Sequence, residues 1–151
     1  MTMTAFDLAQ RFIGIREVAG LKDHPFIVWA LSLCGYTDAH DEVAWCSAFL
    51  NAIAWLLRLP RSKSAAARSW LLVGRPVRLD EARPGFDVVV LWRGSAPQPG
   101  AHVLAAPGHV GLFAGIEGDD VLLLGGNQGG GVSIARFPKV RVLGVRRLVA
   151  A

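Results

Sequence analysis

The chain has 151 residues, 52% hydrophobic and 19% charged, with a formal net charge of +4. That length carries one domain with a real core, and the composition excludes a disordered chain. Two cysteines, Cys34 and Cys46, are too few for a disulfide scaffold, and no apolar run approaches the roughly 18–20 residues of a membrane span.

The N-terminus, Met1 to Asp7, has no basic stretch followed by an apolar one. The expectation is synthesis in the cytoplasm without a signal peptide. Thr4 with Asp7 reads as a capping box, and Phe6, Leu8, Phe12, Ile13 and Ile15 give a helical face ending before Ala19-Gly20. Asp23-His24-Pro25 opens a second helix that Gly35 closes. A polar loop, residues 36–42, leads into the most apolar helix, roughly 44–58. Ser62 or Ser64 caps a short fourth helix ending at Gly74.

The period then changes from helical to strand-like. Val88–Trp92, Val110–Ile116, Val121–Leu124, Val132–Phe137 and Val142–Leu148 read as strands separated by Gly- and Asp-rich turns. Helices first and consecutive strands after predict an α+β fold, in one domain over 1–151. Gly94 to Gly108 is a long Pro/Gly-rich loop, a kind that is often functional.

Cys46 falls on a stripe with Phe49, Leu50, Ile53 and Leu57, the pattern of an inert core thiol. It also lies in the first turn of its helix, where unpaired N–H groups and the helix dipole stabilise a thiolate. Cys34, at a helix C-terminus, reads as structural. Among the histidines His109 is the best general base: it follows Pro107-Gly108 and starts a strand that would hold it rigidly. His102 lies in the long loop, and His24 and His40 read as helix-start or loop residues. Asn127 and Gln128 stand beyond the next strand, where a side-chain carbonyl can fix the imidazole tautomer; an Asn beside Gly is equally a turn residue. The run 125–131 lacks the Lys-Ser/Thr of a phosphate loop. Cys34, Cys46, His102 and His109 lack the spacing of a zinc site. Basic clusters at Arg58, Arg61, Lys63 and Arg68, and at Arg136, Lys139, Arg141, Arg146 and Arg147, favour anionic polymers. No aromatic-basic interleaving points to nucleic acid.

Five segments in order carry a family resemblance. They are Trp45-Cys46-Ser47-Ala48-Phe49; Ala67-Arg68-Ser69-Trp70 with Gly74; Pro84-Gly85 before Asp87 to Leu91; Gly108-His109-Val110-Gly111; and Gly125-Gly126-Asn127-Gln128. Together they resemble the NlpC/P60 and CHAP superfamily of papain-like peptidoglycan hydrolases, and within it a small bacterial and phage subgroup with a Trp-Cys-Ser/Ala-Ala-Phe motif. One departure is Phe86, inserted before Asp87 where the family strand begins Pro-Gly-Asp, which predicts a shifted or bulged strand start. The resemblance implies N-terminal helices packed on an antiparallel sheet and a cysteine peptidase or amidase that passes through a thioester. It implies Cys46 as nucleophile, His109 as base and Asn127 as orienting residue, with Gln128 or an acidic residue of the 41–42 loop as the alternative third group. Trp45, Ser47 and Gln128 would contact substrate. It implies no cofactor or metal, peptidoglycan as substrate, an inhibitor (immunity) protein as a further partner, and neither nucleic acid binding nor membrane insertion. The place of action would be the cell wall or periplasm, reached by phage lysis or secretion. The rival expectation is a non-catalytic wall-binding or phage structural module of the same fold.

Overall fold

The computed structural model of the chain describes residues 2–18, 24–36 and 44–149. Expectations about Ala19-Gly20, Asp23, His40 and the acidic residues 41–42 lie outside the described residues.

Among the described residues three α-helices come first: α1 (Ala5–Gln10), α2 (Pro25–Ser32) and α3 (Cys46–Leu56). The Thr4 hydroxyl accepts from the Asp7 amide at 3.0 Å and the Asp7 carboxylate accepts from the Thr4 amide at 2.9 Å, so the capping box forms. The helix is shorter than the apolar face predicted, because Gly14, at φ 102°, turns the chain and donates its amide to Val132 O. In α2, His24 Nδ1 accepts from the Phe26 amide and Pro25 occupies the first turn. Every residue of α3 from Cys46 to Ala54 is buried. The fourth helix is a 3₁₀ segment, Ala67–Leu72. Its three-residue turn stacks i on i+3, which turns both Ala67 with Trp70 and Arg68 with Leu71 inward.

The second half is a six-stranded antiparallel sheet: β1 (Arg75–Val77), β2 (Asp87–Trp92), β3 (Gly108–Glu117), β4 (Asp120–Gln128), β5 (Gly131–Pro138) and β6 (Val142–Arg147). The spatial order is β1-β6-β2-β3-β4-β5, and the fold is α+β. Alternation along the strands divides the apolar residues between two faces. Val88, Val90, Val110, Leu112 and Leu124 meet the helices, with Phe49 and Ile53 of α3. Val89, Leu91, Phe113, Val121, Leu123 and Val145 form a second cluster on the opposite face.

The Phe86 insertion does not bulge the start of β2. Asp87 pairs in register with Arg147 and holds it bidentately, at 2.7 and 2.8 Å, with its carboxylate fully buried. The β2–β6 register shift falls instead between Val90 and Leu91.

Candidate active site

The site lies where β3 and β4 part. Their ladder begins at Leu112↔Leu124, so His109 and Val110 on one strand and Gly125 to Gln128 on the other lie beyond it. The β4–β5 register shifts between Gly125 and Gln128, and Asn127 takes φ 58°. The α3 N-terminus packs at this opening. A Cβ on Gly126 would stand 2.5 Å from the Trp45 ring and 2.8 Å from Phe49, so only glycine lets helix and strand approach this closely.

His109 is 8% exposed. It pairs in register with Leu91, on the face away from the helices, and its ring lies 5.0 Å from that of Phe137. Its Nε2 lies 2.9 Å from Gln128 Oε1. The Gln128 amide nitrogen donates to Leu123 O at 3.1 Å and to Ser133 O at 2.8 Å. With both amide hydrogens directed at carbonyls, the glutamine oxygen is the atom left for the ring. His109 Nε2 is therefore the protonated nitrogen, and Nδ1 carries the free lone pair. Burial lowers the His109 pKa; the Gln128 hydrogen bond opposes this and the Arg93 charge adds to it. The ring is a neutral base at neutral pH.

Cys46, the first residue of α3, is 3% exposed. Burial raises its pKa, against the Val110 amide, the Ser47 amide, the Arg93 charge and its own amide, all of which lower it. The Val110 amide, that of the residue after His109, is among the groups that lower it, which sets Cys46 against the β3 backbone. Among the described residues no hydrogen bond joins sulfur and ring. Burial favours the neutral form of each group.

A cavity of about 520 Å³ opens beside His109, lined by His109, Asn127 and Gln128, and by Trp92, Arg93 and Phe137 among others. Cys46 does not line it. Asn127 does, but His109 hydrogen bonds to Gln128. The other expected contact residues have structural duties. Trp45 is fully buried and donates its indole N–H to Glu17 at 2.8 Å. Ser47 is fully buried, donates to Ser64 O and accepts from the Trp70 indole at 2.8 Å. The two side chains point into the core because the first turn of α3 is covered on both sides, by the segment around Glu17 and by the 61–66 loop. His102 is exposed in the long loop, and His24 caps α2.

Two residues of the site have roles that the sequence did not signal. Arg93 follows β2 and is the cation that acts on both Cys46 and His109. Arg68 is fully buried, donating from Nε to Pro107 O at 3.0 Å and from Nη1 to the carbonyls of Pro99, Gly100 and Val103. It pins the long loop immediately ahead of Gly108-His109. The Ala67-Arg68-Ser69-Trp70 segment marked its position but not this role.

No family model matches the sequence, and no curated protein matches it. Among solved structures the chain is similar to NlpC1 from Trichomonas vaginalis, with 15% sequence identity and a TM-score of 0.49. The match covers 97% of this chain and 44% of that one, so the chain spans less than half the length of the protein it matches.

Proposed function

We propose that the chain is a single-domain cysteine hydrolase of the papain-like NlpC/P60 type that cleaves amide bonds of peptidoglycan. The observation that carries this reading is the His109–Gln128 hydrogen bond, which leaves Nδ1 unprotonated on the strand whose Val110 amide acts on Cys46. Gln128 takes the orienting role, in place of Asn127. His109 Nδ1 accepts the thiol proton as sulfur attacks the amide carbonyl. The oxyanion is stabilised by backbone N–H groups at the start of α3. Protonated His109 returns its proton to the departing amine, leaving a thioester; water, deprotonated by His109, then releases the acid and regenerates the thiol. Peptidoglycan as substrate, an inhibitor protein as further partner and action at the cell wall rest on the five sequence segments.

The burial of Cys46 and its absence from the cavity lining favour a second reading, a wall-binding module that does not turn over. Purified sacculi separate the two. Wild type releasing soluble fragments while Cys46→Ala releases none supports the hydrolase. Both proteins sedimenting with sacculi and neither releasing fragments supports the binding module.

A further inference from the structure

We infer that the cavity beside His109 is a carboxylate-recognition site, in which Arg93 and Arg141 select a peptide bearing a free carboxylate over its carboxamide. The identity of the peptide, a peptidoglycan stem, rests on the reading above.

Three guanidinium groups line the cavity, from Arg93, Arg136 and Arg141, and none of its lining residues is acidic. Arg136 is already engaged by Glu117 at 2.8 Å and reaches Asp120 at 3.9 Å. Arg93 and Arg141 have no carboxylate partner among the described residues, whereas Arg78, Arg136 and Arg147 each have one. Arg141 is held in place without being neutralised. Its guanidinium carbon lies 4.7 Å from the centroid of the Trp92 ring, and that ring is fixed by its indole N–H donating to Val140 O at 3.2 Å. Stacking leaves the edge N–H donors of the guanidinium free, and a planar fork of donors matches a carboxylate.

The rest of the wall fits a peptide rather than a bare ion. Leu91 and Phe137 supply an apolar floor, Ser133 and Asn127 offer polar groups, and His109 places the reacting end at one side. A ligand carboxylate held by Arg93 and Arg141 would therefore set its neighbouring amide against the imidazole. A carboxamide keeps the shape but loses the charge, and brings an NH₂ group against two cations.

The test is calorimetric binding to Cys46→Ala, which removes turnover. The probes are a synthetic stem tetrapeptide with free carboxylates and the same peptide with every carboxylate, the C-terminal one included, amidated. The free-carboxylate peptide should bind about tenfold tighter, the scale of one charge-assisted hydrogen bond at a partly exposed site, with a preference that shrinks in high salt. Adding Arg93→Gln or Arg141→Gln to Cys46→Ala should erase most of that preference while affinity for the amidated peptide holds. Equal affinity for the two peptides, no binding of either, or a preference that survives both substitutions would overturn the inference. Wild-type turnover is scored separately. Preference without cleavage sinks the hydrolase reading and leaves the carboxylate site; cleavage indifferent to amidation does the reverse.

Discussion

At the scale of single residues the site is defined by what burial does to two titratable groups. Burial raises Cys46 and lowers His109, so each is held in its neutral form. Thiolate is then made during attack and not stored beforehand. With Cys34 replaced by alanine, since its own thiol is pushed up to about 11 by burial, the rate of Cys46 alkylation by iodoacetamide should be slow at neutral pH. It should still be climbing above about pH 9, the range where an ordinary thiol levels off. A rate that plateaus below pH 7 would mean a preformed ion pair. The His109 shift has its own signature: the acid limb of kcat/KM should fall below about pH 6.5, since the base works only when unprotonated and its pKa lies under the usual histidine value. Gln128→Ala removes the acceptor that holds the ring, and should lower kcat about 10- to 100-fold, the worth of a hydrogen bond to a developing charge. Asn127→Ala should leave kcat within about twofold on the same reasoning, because no hydrogen bond from Asn127 reaches the ring. Equal losses in the two variants would contradict the assignment.

Elements position these residues through a few close fits. The α3 N-terminus packs against β4 because Gly126 yields space to Trp45 and Phe49. Gly126→Ala overpacks that contact and should destabilise the fold by about 1–3 kcal/mol in denaturant unfolding. The β2–β6 pairing is tied by Asp87 and Arg147; Asp87→Ala leaves a largely buried guanidinium unpaired and should cost about 3 kcal/mol. Local elements were legible in the sequence where a local signal decides them. The capping box of α1, the Pro25 start of α2 and the five apolar strands rest on side chains within a few residues of one another. β1 was missed because Arg75-Pro76-Val77 is an edge strand of three residues with a proline and two exposed positions, with no alternation to read. The choice between Asn127 and Gln128 also lay beyond the sequence. Two adjacent amides flank the same turn, and only the register shift after Gly125, with Asn127 at positive φ, decides which one faces His109.

For the whole molecule, the antiparallel sheet does two jobs with its two faces. One receives the helices and with them the thiol; the other carries His109, Gln128 and the cavity. Cys46 and His109 converge on the same end of β3, where its registered pairing with β4 stops. That convergence is non-local: Cys46, His109 and Gln128 are separated by long stretches of chain, and spacing alone fitted an inert core thiol as well as a nucleophile. Sequence pattern singled out Cys46 and His109 as candidates; Arg68 and Arg93 act through partners that only folding brings near. The central claim is that this convergence cleaves amide bonds, and mass analysis of the fragments released from defined peptidoglycan tests it most directly. Wild type should release fragments each bearing one new amine or one new carboxylate at a single type of amide bond, and Cys46→Ala should release none. No fragments from wild type, or the same fragments from Cys46→Ala, would contradict the account.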